Sequence, residues 1–121
     1  MGSRQTDPDA QRRRRSGQQL FDSLTASYDG RPDVTRGRMF ASEGLAVRGK
    51  FFAFVGPDGR LVVKLPQHRT QDLIESGTAE RVNLGGRSMR EWVSLPLPST
   101  GEDTAAWSNA IAEAHAFLAG S

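Results

Sequence analysis

Between Arg36 and Leu65 the apolar residues change sides at every second position, and this period of two limits the possible folds more than any other feature of the chain. Leu45 and Val47 alternate with Ala46 and Arg48. Phe52 and Phe54 alternate with Phe51, Ala53 and Val55, and Leu61, Val63 and Leu65 alternate with Arg60, Val62 and Lys64. Alternation of this kind marks a strand with one buried face, because successive side chains of a strand point to opposite sides. Gly49 and Pro57-Asp58-Gly59 punctuate the runs, proline presetting φ and glycine supplying the positive φ of a tight turn. Runs so short and so closely joined pair as antiparallel neighbours. The pattern predicts three antiparallel strands, one face buried and the other carrying Arg48, Arg60 and Lys64.

The flanking segments have a helical period. Leu20, Phe21, Leu24 and Tyr28 fall on one face of a helix between Ser16 and Tyr28, and Asp29-Gly30-Arg31-Pro32 stops it. Pro66 opens a polar stretch whose large apolar residues are Leu73 and Ile74, a short surface helix ended by Gly77. Two strands follow, Glu80–Leu84 and Arg90–Leu95, joined at Gly85-Gly86. Trp107, Ala110, Ile111, Ala114 and Leu118 then define a last helix, with Thr100 and Asp103 placed to cap its start. The expected order is α-β(3)-α-β(2)-α, an α+β fold in which helices cover one antiparallel sheet as a two-layer sandwich.

Charge divides unevenly along the 121 residues. Residues 1–15 hold five arginines and two aspartates, leaving eleven basic and twelve acidic residues for the remainder. Residues 1–17, with Gly2, Ser3, Pro8 and the Arg12, Arg13, Arg14, Arg15 run, read as a disordered arginine-rich tail ahead of a single domain at 18–121. The chain contains no cysteine, which excludes disulfides, thiol nucleophiles and thiolate metal sites. No apolar run approaches the ~20 residues of a membrane span, and no apolar segment follows the arginines as in a secretory signal. Cytoplasmic residence is the resulting expectation.

Arg38-Met39-Phe40 with Gly44-Leu45, then Gly49-Lys50-Phe51-Phe52-Ala53, then Gly59-Arg60-Leu61-Val62-Val63-Lys64-Leu65, resemble the amino-terminal domain of the TfoX/Sxy family. Gly86-Arg87-Ser88-Met89-Arg90-Glu91-Trp92-Val93 and the Trp107–Leu118 segment extend the resemblance, which covers the chain from Gln18 to Gly120. The YjbR-like proteins are similar in architecture. The resemblance implies a secretion-chaperone-like fold and a role in bacterial regulation, the family being associated with competence and having no family active site. Ala41-Ser42 stand where the family often has a glycine pair. The full-length competence regulator adds a second domain.

The candidate chemical residues are few. His115 falls at the edge of the last helix's apolar face, and His68 has no acidic or histidine neighbour at ligand spacing, so no metal, cofactor or catalytic residue is assigned. Gly85-Gly86-Arg87 lacks the phosphate-loop pattern and reads as a hairpin turn. Trp107 has the phase of a core residue. Trp92 faces opposite to Val93 and Leu95, so with Arg87 and Arg90 it forms a candidate partner-binding set, tryptophan and arginine being common anchors of interfaces. Arg12, Arg13, Arg14 and Arg15 are candidate contacts for nonspecific nucleic-acid binding. Three readings follow. The first is a non-enzymatic regulatory domain that binds a protein partner, and the second a nucleic-acid accessory protein using the arginine tail. The third is a small-ligand or enzymatic domain with a pocket near Glu43, His68, Glu91 or His115.

Overall fold

The alternating stretch folds as antiparallel sheet, with one strand more than its pattern predicts. The computed structural model describes residues 8–39, 42–84, 86–99 and 104–120. Its elements are α1 (Pro8–Leu24), a single 3-10 turn (Ala26–Tyr28), β1 (Val34–Met39), β2 (Ser42–Val47), β3 (Lys50–Val55), β4 (Leu61–Lys64), α2 (Gln67–Glu75), β5 (Glu80–Leu84), β6 (Arg87–Leu95) and α3 (Ala105–Ala119). The strands lie in the order β1-β2-β3-β4-β6-β5, and all neighbours are antiparallel. The molecule is a two-layer α+β sandwich of order α-β(4)-α-β(2)-α.

The added strand is β1, whose Thr35-Arg36-Gly37-Arg38 core gives no apolar alternation. It is an edge strand, paired with β2 alone, and polar contacts hold it to the helical layer. The Arg36 guanidinium donates to the Asp29 carboxylate at 2.6 Å and to the Thr25 hydroxyl at 3.1 Å. Thr25 is fully buried and donates its own proton to the Phe21 carbonyl at 2.7 Å, so β1 is tied to the end of α1.

The expected tail is also corrected. Residues 8–17 are helical, and Arg12 to Arg15 belong to α1; residues 1–7 lie outside the described part. No apolar stripe announces this half of the helix because it docks through its backbone. A Cβ on Gly17 would stand 2.5 Å from the Gly59 carbonyl oxygen, and a Cβ on Gly59, whose φ is +86°, would collide with the Arg13 carbonyl. Helix and β3–β4 turn therefore touch main chain to main chain, an approach open to glycine alone.

Helix α3 starts after Thr104, whose side chain makes no capping bond; Thr100 and Asp103 lie outside the described residues. Its far end is capped from the sheet. Arg48, at a φ of +52° in the β2–β3 turn, donates to the carbonyls of Leu118 and Ala119 at 3.1 and 3.3 Å. A cation at a helix C-terminus satisfies orphan carbonyls and suits the helix dipole. Arg48 thus serves the helical layer instead of the outer face expected for it.

Apolar side chains from all three helices enter one core. Phe21 of α1 and Trp107, Ile111, Ala114 and Leu118 of α3 pack on Leu45, Val47, Ala53, Val55, Val63 and Val93, with Leu73 and Ile74 of α2 at the margin. Burial of each large side chain stabilises the fold by about 1.5–3 kcal/mol.

His115 closes one end of this core. Its ring meets those of Tyr28 and Phe52 edge-on at 5.6 Å, and its Nε2 lies 2.8 Å from an Asp33 carboxylate oxygen. That hydrogen bond holds the Asp33 carboxyl below its usual value of 3.8, with Arg31 at 3.6 Å adding to the effect. The unfolded chain therefore binds the Asp33 proton at a higher pH than the folded chain, and stability falls as pH drops through the folded titration. Asp33→Asn is expected to be less stable than the wild type at neutral pH and to converge with it in acid. Urea unfolding at both pH values checks this, and a constant difference between the two proteins contradicts it.

Candidate functional site

The sheet has a second apolar face, opposite the helices. Ala46, Phe54 and Val62 are 4%, 6% and 7% exposed, yet none belongs to the core under the helices. A bulge creates part of this arrangement. Leu45 pairs with Ala53 and Ala46 with Phe51, so Phe52 is an extra residue in β3. It turns into the core beside Ala53 and Val55, while Phe51 and Phe54 face outward. Phe52 and Phe54 thus occupy opposite faces, contrary to the simple alternation.

Phe51 lies over two glycines. Gly37 and Gly44 oppose one another in β1 and β2, and a Cβ on either would come within 3.1 and 3.3 Å of the Phe51 ring. An aromatic ring laid over strand glycines shields backbone that has no side chain of its own. At the other end of the row Trp92 packs on Phe54, with ring centroids 5.9 Å apart. The Lys64 ammonium stands 5.9 Å from the Trp92 ring centre, in reach of its π-face. Phe51 and Trp92, the two ends of the row, are half-buried.

The pairing of β6 with β5 is irregular beside Trp92. Arg81 pairs with Val93 and Val82 with Met89, so residues 90–92 have no partner on β5. The freed segment is held from other sides. Trp92 pairs with Lys64, the Glu91 carbonyl accepts from the Leu65 amide at 2.9 Å, and the buried Thr70 hydroxyl donates to the Arg90 carbonyl at 2.7 Å. Arg90 is exposed, two residues before Trp92 in the strand. Arg60 reaches across to the Ser94 hydroxyl at 2.9 Å, with Glu80 at 3.8 Å, and Lys64 has Glu91 at 3.8 Å.

The sequence-derived partner set is thus brought together in part. Trp92 lies on the outer face and Arg90 is exposed two residues before it; Arg87 begins β6, with its side chain outside the described part. Phe51, Phe54 and Val62 belong to the same surface and were not singled out from the sequence, whereas Lys64 stands on the outer face as its alternation predicts. The available signal was a pair of strand glycines opposite a run, Phe51 to Val55, that is apolar on both faces.

The arginine run forms a separate surface on α1. Arg12 pairs with Asp9 at 2.7 Å, and Arg13 turns into a cleft of about 690 Å³. That cleft lies between α1, the β3–β4 turn and the segment after β6, with Ser16, Leu20, Arg60, Leu97 and Thr104 among its walls. Its polar lining is of both signs, Arg13 and Arg60 standing with Asp58 and with the hydroxyl residues Ser16, Ser99 and Thr104. Of the residues expected near a pocket, Glu43 lines a depression of about 340 Å³ with Arg38 and Asp22. His68, Glu91 and His115 line neither cavity.

Among the described residues no group of three or more histidine, aspartate or glutamate side chains is placed to hold a metal ion. Among them, too, no helix is long and apolar enough to cross a membrane. No family model, curated protein or solved structure matches the chain.

Proposed function

We infer that this chain is a small non-enzymatic bacterial regulatory domain of the TfoX amino-terminal type, acting in the cytoplasm by holding a protein partner on its outer sheet face. The observation that carries the reading is Trp92, half-buried on Phe54 with Lys64 against its ring, on a face whose residues Ala46, Phe54 and Val62 stand apart from the core under the helices. Interfaces concentrate their binding energy in tryptophan and arginine anchors seated in packed surroundings, and Trp92 beside Arg90 has that form. The resemblance of the Arg38–Leu65 and Gly86–Val93 stretches to the TfoX family supports a regulatory role.

Charge defines the partner. Lys64 and Arg60 have Glu91 and Glu80 within 3.8 Å, and Arg90 is exposed, so a partner segment presenting apolar side chains beside a carboxylate complements the row. Affinity capture from the source cells is expected to retain a specific protein on the wild type and lose it on the Trp92→Ala, Arg90→Ala double variant. Loss of an anchor of this kind costs ~2–4 kcal/mol, or about 30- to 1000-fold in affinity. Equal capture by both proteins, or no specific capture by the wild type, contradicts the reading.

A further inference from the structure

We propose that the cleft between α1, the β3–β4 turn and the segment after β6 is a second binding site, which takes a short zwitterionic peptide of apolar residues. Two opposite charges on its wall carry the assignment. The Arg13 carbonyl rests on Gly59, so the backbone of Arg13 is held beside the turn that presents Asp58. Both side chains line the same cleft of about 690 Å³, yet they do not pair with one another. Arg13 has no hydrogen-bond or ion-pair partner among the described residues. One oxygen of Asp58, Oδ1, accepts from the Arg60 amide at 3.2 Å, which leaves Oδ2 for a ligand. The Arg60 guanidinium is turned to Ser94 and Glu80. Among the described residues, Arg13 is therefore the cation that the cleft offers.

The remaining walls suit a peptide body. Leu20 and Leu97 are half-buried and pack on the core, and the Pro96 carbonyl is anchored by the Trp107 indole at 2.9 Å. The Ser16 and Thr104 hydroxyls make no hydrogen bond among the described residues. Each can donate and accept, as the two sides of a peptide group require. The volume falls within the roughly 300–1,000 Å³ of sites for drug-sized molecules, room for about two or three residues.

Other ligand classes fit less well. The Asp58 carboxylate repels a phosphate or a purely anionic ligand, and no aromatic ring among the described wall residues stacks on a nucleobase. Phe51, Phe54 and Trp92 lie elsewhere, so the ligand leaves the outer sheet face to the protein partner.

NMR titration of the full chain with leucyl-leucine tests the assignment. The amide signals of Gly59 and Leu97 are expected to move, and that of Trp92 to stay. N-acetyl-leucyl-leucine lacks the ammonium and leucyl-leucinamide the carboxylate, and each is expected to bind about tenfold or more weakly. Arg13→Ala is expected to lose leucyl-leucine by the same factor. Asp58→Asn keeps an acceptor for the Arg60 amide, and is expected to weaken leucyl-leucine while strengthening the N-acetyl peptide. No binding at millimolar leucyl-leucine, equal affinity for the blocked peptides, leucine alone binding as tightly, or unchanged binding by Arg13→Ala would each overturn the proposal.

Discussion

Gly59→Ala is expected to unfold at a midpoint roughly 10 °C below that of the wild type, from a destabilisation of about 2–4 kcal/mol. Two costs combine. The left-handed φ of +86° costs an alanine about 1–2 kcal/mol. Its Cβ also meets the Arg13 carbonyl, a main-chain atom of α1 that cannot swing aside, and forced insertion of this kind costs typically ~1–3 kcal/mol. Gly77→Ala separates the two, since Gly77 has a φ of +78° and nothing within 4 Å of an added Cβ. The excess loss in Gly59→Ala over Gly77→Ala measures the seating of α1. Equal losses in thermal or urea unfolding would mean that the helix does not rest on the turn.

Trp107→Ala is expected to cost about 3–5 kcal/mol, a large share of the ~5–15 kcal/mol that holds a domain of this size. Trp107 is 1% exposed at the centre of the helix–sheet interface, and its indole N–H donates to the Pro96 carbonyl at 2.9 Å. Removing the ring leaves a cavity between α3 and the sheet and frees that carbonyl. Trp107→Phe keeps most of the packing and removes the donor, so its cost is about 1–2 kcal/mol. Denaturant unfolding distinguishes the two variants. Similar small losses in both would place Trp107 outside the core.

These two residues mark how far the sequence could be read. Trp107 was legible because Ala110, Ile111, Ala114 and Leu118 repeat its phase, and periodicity reports apolar burial directly. Gly59 was legible only as a turn. Its contact with Gly17 involves backbone against backbone across 42 residues, which no apolar pattern records. For the same reason the first half of α1, rich in arginine and docked through glycine, looked like a solvated tail. Strand β1 escaped notice because Arg36 faces the helical layer, where Thr25 and Asp29 satisfy it.

The candidate surface was half visible. Trp92 announced itself by standing out of phase with Val93 and Leu95, and the structure places it on the outer face as that phase requires. Its neighbours Phe51 and Phe54 were hidden by the bulge at Phe52, which shifts the alternation within a run already apolar on both sides. The three-residue slip between β5 and β6, which leaves Arg90 to Trp92 unpaired on that side, depends on long-range register and has no local signature.

The outer face as a docking surface is the central claim, and site-specific photocrosslinking in the source cells tests it most directly. Benzoylphenylalanine in place of the half-buried Phe51 samples the aromatic row, and the same group in place of the exposed Ala106 samples α3 on the opposite layer. A discrete protein adduct from position 51, absent from position 106, is the predicted result. Adducts from position 106 alone, or in equal yield from both, would contradict it.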